Sequence, residues 1–107
     1  MCTAPVSLSK KYNGLDVKYF TRTVTDDKGD KIHLTAKEFD LLYFLSSHKG
    51  QVFTKEQIYQ HIYEDVESEV DNRVYGLVKN LRKKIEENPE EPHYIETIRG
   101  VGYRFRA

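Results

Sequence analysis

Hydrophobic and polar positions follow two different periods along this chain, and the period changes twice. Up to Leu34, apolar residues alternate with polar ones, as at Leu15, Val17 and Tyr19, which is typical of half-buried strands. From Thr35 onward they recur every three or four residues, which is typical of amphipathic helices. Near the C-terminus the alternation returns. The pattern therefore predicts a sheet, then helices, then a hairpin.

Short strands are predicted for the first third of the chain. Residues 1–4 are expected to be a linker remnant, and the folded domain is expected to cover residues 5–107. The predicted strands lie at 5–8, 15–19, 21–25 and 32–34. The turn at 26–30 is rich in aspartate and contains glycine, residues that favour turns. These strands predict a small antiparallel sheet.

Two threonines mark the starts of the first two helices. Thr35 with Glu38, and Thr54 with Gln57, have the spacing of a capping box, in which two side chains bind free amides of the first helical turn. The first helix is predicted to end near residue 48 and the second near Tyr63.

A third helix is predicted at about 71–87, with Asp71 as its N-cap and Asn88-Pro89 beyond its end. At about 100° per residue, Val78, Leu81 and Ile85 fall within about 40° of Val74, so they form a buried stripe. Leu77 lies beside this stripe on the helical wheel, between the buried side and the exposed side of the helix. It can therefore belong to the core or to the edge of the exposed surface. The opposite half carries Asn72, Arg73, Gly76, Lys79, Asn80 and Lys83.

A β-hairpin is predicted at about 94–105, with Arg99-Gly100-Val101-Gly102 at its tight turn. Turn geometry explains both glycines. Arg104 and Arg106 can be phosphate contacts or ordinary surface charges. A sheet, three helices and a hairpin form an α+β plan, that of the winged helix.

Composition narrows the class of protein. The chain has 107 residues, enough for one domain, and 38% of them are hydrophobic. No apolar run approaches the roughly 18 residues that a membrane span needs. The only cysteine, Cys2, excludes an internal disulfide framework and suits a reducing cytoplasm. The four histidines lack metal-ligand spacing, and no phosphate loop or nucleophile motif is present, so we expect no metal, no cofactor and no catalysis.

The formal net charge is zero, but two neighbouring segments have opposite signs. The acidic one carries Glu64, Asp65, Glu67, Glu69 and Asp71; the basic one carries Arg73, Lys79, Arg82, Lys83 and Lys84. Both can be solvated faces. A basic stripe on one helix is also the usual footprint of a phosphate-backbone partner.

The half of the third helix opposite the buried stripe has the chemistry of a major-groove reader. Arginine presents two parallel donors to guanine and asparagine pairs with adenine, whereas lysines beside them suit phosphates. Gly76 costs the helix about 1 kcal/mol relative to alanine. Either it lets the backbone approach the base edges closely, or it is a tolerated surface glycine.

Three segments resemble the effector domain of OmpR/PhoB-type response regulators. They are Leu34-Thr35-Ala36-Lys37-Glu38-Phe39-Asp40-Leu41-Leu42, Leu81-Arg82-Lys83-Lys84-Ile85 and Thr97-Ile98-Arg99-Gly100-Val101-Gly102-Tyr103-Arg104-Phe105. The resemblance covers roughly residues 34–105 without an obvious gap. It implies a winged helix-turn-helix with an N-terminal four-stranded antiparallel sheet, three helices and a C-terminal hairpin wing.

The same resemblance implies roles for individual residues. Base-facing positions fall on Arg73, Gly76 and Asn80, with Lys79 on the same side. Backbone contacts fall on Asn72 and Arg82, to which Lys83 is added from the helical wheel, and wing contacts fall on Thr97 and Arg99. The acidic connection at 64–70 looks like the family's loop that can contact RNA polymerase, through Glu64, Asp65, Glu67 and Glu69.

The family also implies partners. It normally carries a receiver domain ahead of this one, for which the chain has no room, and it works in the cytoplasm. We expect a monomer alone and a head-to-tail dimer on direct-repeat half-sites of double-stranded DNA, about one helical turn apart.

The recognition helix departs from the common pattern of the family. Arg73-Val74-Tyr75-Gly76-Leu77 replaces a Thr/Ser-Val-Asp-Val-His run, and Asn80 replaces a frequent arginine. Arginine and asparagine both read bases, so DNA binding is still expected, but no operator sequence can be transferred.

The main rival function is a winged-helix module that binds another protein through the acidic loop and the hairpin. RNA is a third partner to consider, although a rigid helix suits the wide major groove of DNA better.

Overall fold

Alternating sheet and helix segments follow the order that the period changes predict. The computed structural model describes residues 9–12, 14–19, 21–63 and 70–106. The elements are β1 (Ser9–Tyr12), β2 (Leu15–Lys18), β3 (Thr23–Asp26), β4 (Lys31–Ile32), α1 (Ala36–Ser47), β5 (Val52–Thr54), α2 (Lys55–Ile62), α3 (Val70–Ile85), β6 (Ile95–Ile98) and β7 (Gly102–Phe105). The α+β winged-helix prediction is confirmed.

The N-terminal sheet is antiparallel, as predicted, with β1 to β4 paired in chain order. Within the described residues, β1, β2 and β3 have four residues each, and β4 adds a two-residue pairing. In this part of the chain the expected four-stranded sheet therefore has three full strands, and its fourth member is a two-residue strand at the edge. The reason is local: the turn after Asp26 and the cap at Thr35 leave little room between them for a strand. The strand predicted at 5–8 lies outside the described residues.

The segment after β2 turns earlier than the alternation indicated. Tyr19 was predicted to end a strand, but β2 ends at Lys18, and the N–H of Arg22 donates to the carbonyl of Tyr19 at 3.1 Å. Arg22 adopts a left-handed backbone, with φ of 51°. Its guanidinium donates to the carbonyl of Ala36 and to Asp40, which compensates for that conformation by joining the turn to α1.

Both predicted capping boxes are present. The N–H of Glu38 donates to Thr35 Oγ1 at 3.2 Å, and the N–H of Thr35 donates to Glu38 Oε1 at 2.9 Å. Thr54 and Gln57 repeat the arrangement at 3.1 and 2.9 Å. These reciprocal bonds fix the first turns of α1 and α2.

A strand that the pattern did not reveal, β5, precedes α2. It pairs with β7, so the predicted hairpin is part of a three-stranded sheet with the order β5-β7-β6. Gly102 lies opposite Thr54, and a Cβ at position 102 would lie 1.9 Å from the carbonyl oxygen of Phe53. Turn geometry is therefore the wrong explanation for Gly102, which is required by the close approach of β5.

One core joins the helices to both sheets. Its completely covered side chains are Leu41, Leu42, Leu45, Ile58, Val74, Leu81, Ile95 and Phe105, each at 0% exposure. Burial of one such side chain stabilises a fold by about 1.5–3 kcal/mol. Among the described helices, none is long and apolar enough to cross a bilayer.

Candidate nucleic-acid interface

The third helix presents one apolar side to the core. Val74, Val78, Leu81 and Ile85 are 0–7% exposed, as the helical period predicts. Leu77 is also buried, at 9%, which assigns it to the core rather than to the edge of the exposed surface. The helix is thus fixed in rotation about its own axis by five buried side chains.

The opposite side of α3 is open and polar. We define the outer face of α3 as Arg73, Gly76, Lys79, Asn80 and Lys83. Its four side chains are all exposed. A Cβ built on Gly76 meets no described atom within 4 Å, so the fold itself does not require glycine there. Asn72 lies in the same helix, but its side chain is outside the described residues, as are Glu64, Asp65, Glu67 and Glu69.

The guanidinium of Arg73 contacts two tyrosines at the C-terminal end of α2, Tyr59 and Tyr63. Its Nη1 donates to the hydroxyl of Tyr59 at 3.1 Å, and its Cζ lies 5.3 Å from the ring centre of Tyr63. The two rings stack at 4.7 Å. This contact was not predictable from the sequence because Tyr59 and Arg73 are 14 residues apart, on different helices.

Tyr75 is a second feature that sequence analysis did not single out. Its side chain is 60% exposed, although it is large and aromatic. On a helical wheel it falls between Arg82 and Lys79, on the flank of α3 that faces the hairpin. The signal in the sequence that could have drawn attention to Tyr75 is that it replaces the aspartate usual in the family at this position.

Arg82 links α3 to the hairpin. Its Nε and Nη2 donate to the carbonyl of Ile95 at 3.1 and 2.8 Å, and Nη2 also donates to Thr97 Oγ1 at 2.7 Å. Burial lowers the pKa of the Arg82 guanidinium, while Tyr103 and other nearby groups oppose the shift. The resemblance implies a DNA-backbone contact for Arg82, but here its fork already bonds within the protein and lies beside Thr97, a predicted wing contact.

Glu86 forms a second link between the same two elements. Its side chain is buried, at 6% exposure, just after the last residue of α3. The carboxylate accepts from the N–H groups of His93, Tyr94 and Ile95 at 2.7, 3.0 and 3.0 Å. These bonds accompany the end of the helix at Ile85, two residues before the predicted end, and fix the chain as it enters β6. The helix begins at Val70, one residue before its predicted cap.

Residues 99–101 form the tight turn at the tip of the hairpin. Gly100 has φ of 76°, which favours glycine, and the N–H of Val101 donates to the carbonyl of Ile98 at 3.0 Å. Arg99 is exposed there, and Val101 is 48% exposed. Thr97 is exposed on β6.

Two of the remaining basic side chains bond to carboxylates. Arg104 lies opposite Glu96 across the hairpin, with 2.8 Å between Nη2 and Oε1, which makes it a strand-surface charge. Lys84 Nζ lies 2.6 Å from Oε1 of the buried Glu38 on α1. Burial would raise the pKa of Glu38, but the hydrogen bonds from Lys84 and Thr35 lower it below its ordinary value. Lys84, one member of the predicted basic stripe, thus stabilises the packing of α3 against α1.

The sequence from residue 29 to 105 matches the family described as "Transcriptional regulatory protein, C terminal". The chain belongs to this family. Within it, the domain is of the OmpR/PhoB type, as the resemblance of its motifs indicated. The family is one of transcriptional regulators rather than of enzymes.

Solved structures agree with this assignment. The domain is 38% identical to the response regulator DrrB of Thermotoga maritima, an OmpR/PhoB homologue, with a TM-score of 0.87 over 94% of this chain and 45% of that one. The chain therefore spans less than half the length of DrrB. The RstA DNA-binding domain of Klebsiella pneumoniae, solved in complex with the RstA box, is 28% identical with a TM-score of 0.82, over 92% of this chain and 96% of that one. The DNA-binding domain of Bacillus subtilis CssR is 37% identical with a TM-score of 0.75, over 85% and 98% of the two chains.

Proposed function

We propose that this OmpR/PhoB-type domain binds double-stranded DNA in a sequence-specific manner and serves as the output domain of a transcriptional regulator. The observation that carries the proposal is the outer face of α3. It combines arginine, asparagine and lysines around an unobstructed glycine, on a helix whose other side is buried. A helix of this kind fits the major groove of B-DNA.

The proposed reading of bases relies on three positions. Arg73 offers a bidentate fork to guanine, and Asn80 offers donor and acceptor to adenine. Between them along the helix, Gly76 lets the backbone approach the base edges or a thymine methyl. Lys79 contributes from the same side.

Phosphate contacts would hold the helix in register. Lys83 is exposed near the C-terminal end of the outer face, and Asn72 lies near the start of the helix. Arg99 at the hairpin tip reaches the minor groove or the adjacent backbone, with Thr97 beside Arg82. The links through Arg82 and Glu86 favour a fixed distance between the helix and the wing, so both can engage one site together.

Structures of related domains support DNA as the partner. The RstA domain was solved with its DNA box, and the AdeR DNA-binding domain, 26% identical to this chain, was solved with an intercistronic region. We extend this to the finer mode: a monomer in isolation that assembles head-to-tail on direct-repeat half-sites about one helical turn apart. Analytical ultracentrifugation of the free and DNA-bound domain tests the stoichiometry. A tight dimer without DNA contradicts it.

Membership of the family suggests how this domain is placed in the complete regulator. We propose that the domain comprises residues 5–107 after a short linker and follows a receiver domain in the complete regulator, as the 45% coverage of DrrB supports. It would act in the cytoplasm, where the chromosome lies. The acidic segment at 64–69 is proposed to contact RNA polymerase, since its charge suits a basic partner surface.

A protein-binding module is the second candidate, favoured by two exposed apolar side chains. Tyr75 is 60% exposed on the flank of α3, and Val101 is 48% exposed at the hairpin tip. A mostly apolar protein interface keeps its affinity as salt rises, whereas phosphate contacts release counterions and weaken steeply.

Selection of bound duplexes from a random pool, followed by titration of the selected duplex at 50 to 200 mM salt, tests the proposal. We expect one enriched motif and a linear loss of log affinity with log salt. A pool that yields no enrichment, or binding that ignores salt, contradicts sequence-specific DNA binding.

A further inference from the structure

The side chain of Arg73 is held by groups outside α3, which matters if Arg73 reads a base, as the proposed function requires. An arginine on a helix surface has many rotamers, and ordering it on binding weakens the complex. A support that orders the guanidinium before DNA arrives removes part of that loss. The structure contains such a support.

The support is the tyrosine shelf, which we define as Tyr59 and Tyr63. The phenol oxygen of Tyr59 accepts from Arg73 Nη1 at 3.1 Å. The Arg73 Cζ lies 6.0 Å from the ring centre of Tyr59 and 5.3 Å from that of Tyr63, within the range of cation–π attraction. Among the contacts of the described residues, this hydrogen bond and these two ring contacts restrict the direction of the guanidinium.

The two tyrosines of the shelf are themselves held by contacts within α2 and with α1. Tyr59 is 2% exposed, and its carbonyl accepts from the N–H of Tyr63 at 2.8 Å at the end of α2. The ring of Tyr63 lies 4.8 Å from Lys37 Nζ, which also donates to the carbonyl of Ile62 at 3.4 Å. A support anchored to α1 and α2 keeps its place when the side chains of α3 engage a partner.

We propose that Tyr59 is a positioning residue for base recognition: its hydroxyl, on the shelf with Tyr63, sets the orientation in which Arg73 meets the base. Because Tyr59 is buried, it acts through Arg73. Discrimination at the base pair that Arg73 reads therefore depends on a hydroxyl in a different helix. Contacts to phosphates, which the lysines make, do not depend on it.

The test uses the selected duplex and its single-base-pair variants with four proteins: wild type, Tyr59→Phe, Arg73→Ala and the double variant. Tyr59→Phe keeps the ring and the core packing. We expect it to lose roughly two- to tenfold in discrimination at the one base pair that Arg73→Ala also relaxes, the range expected for one side chain that is no longer pre-ordered. Binding to unrelated duplex at low salt should not change.

The double variant separates positioning from a merely structural role. In the Arg73→Ala background, Tyr59→Phe should add nothing, because the group it positions is gone. Tyr43→Phe, which removes a phenol hydroxyl from α1 instead, is the matched control and should leave all affinities unchanged. Should Tyr59→Phe lower the midpoint of thermal unfolding, Tyr63→Leu, which removes the other ring of the shelf, must relax the same base pair.

Equal losses in both backgrounds, or an even loss across all duplexes, overturn the inference. If wild type itself prefers no duplex, the proposed function fails and the inference with it. If wild type discriminates and Tyr59→Phe discriminates equally well, only the inference fails.

Discussion

Replacement of Gly76 by alanine is expected to move the stability of the domain and its affinity for DNA in opposite directions. Gly76 lies in the middle of α3 at a helical φ, and an added Cβ meets no described atom within 4 Å. Alanine is favoured over glycine in a helix interior by about 1 kcal/mol. For a domain of this size, that gain corresponds to a rise of about 4–8 °C in the midpoint of thermal unfolding.

The same methyl group is expected to weaken specific binding. If the helix backbone approaches the base edges at residue 76, the methyl occupies the space between them. Loss of one good base-edge contact costs about 1–3 kcal/mol, or at least about fivefold in affinity. Binding to unrelated duplex should change little, since phosphates dominate it. Thermal unfolding and fluorescence anisotropy with both duplexes measure the two effects.

Gly50→Ala is the matched control. A Cβ at residue 50 also meets open space, but φ there is 88°, so alanine is strained and the domain should lose stability while its DNA affinity stays the same. The account of α3 is refuted if Gly76→Ala fails to stabilise the domain. The close approach to DNA is refuted if the variant is more stable and binds the selected duplex as tightly as wild type does.

Four further variants test other parts of the structure. Arg82→Ala should lower the free energy of unfolding by about 1–3 kcal/mol, since the carbonyl of Ile95 loses its donors; urea denaturation measures this, and a loss under 0.5 kcal/mol counts against the link. Lys83→Ala, on the exposed outer face, should change the free energy of unfolding by no more than about 0.5 kcal/mol. It should weaken binding to all duplexes alike and reduce the slope of log affinity against log salt by about one. A change of preferred sequence would mean that its side chain reaches bases. Asn80→Ala should relax discrimination at one base pair by about 1–3 kcal/mol, seen in affinities for single-base-pair variants; an even loss at every position contradicts a base contact. Although burial opposes the shift, hydrogen bonds lower the pKa of Glu38, so its carboxylate stabilises the fold above the unfolded-state pKa and stops doing so as the pH falls through the folded value. Glu38→Gln keeps the capping box, so its destabilisation relative to wild type should be larger at pH 7 than at pH 3; an equal difference at both pH values contradicts the charge pairing.

Local signals made much of the fold predictable. The capping boxes at Thr35 and Thr54 each involve residues three positions apart, so they can be predicted from the sequence without tertiary information. The burial of Val74 and Leu81 follows from helical period alone. The outer face of α3 was predictable for the same reason, because its residues are the complement of the buried stripe.

Contacts between distant segments were not predictable in this way. Strand β5 has three residues, too few to show an alternating pattern, and only its pairing with β7 explains why position 102 must be glycine. Glu86 looks like one more surface acid, yet it is buried and accepts from three backbone amides of the next strand. A charge in sequence does not reveal whether its partner is protein or solvent.

The basic stripe shows the same limit. Its five members look equivalent in sequence, but Lys84 pairs with Glu38, Arg82 joins the hairpin and Arg73 contacts Tyr59. Each of these bonds connects two residues that are at least 13 positions apart in the sequence. Charge counts in the sequence therefore do not show which of these cations contact other parts of the protein.

The central claim is that the outer face of α3 enters the DNA groove. Titration of the isotopically labelled domain with the selected duplex, followed through its backbone amide resonances at low salt, tests it most directly. The account predicts shifts concentrated on α3 and at the hairpin tip around Arg99, with strands β1 to β3 unaffected. Unmoved resonances along α3, or shifts centred on the N-terminal sheet, would contradict it.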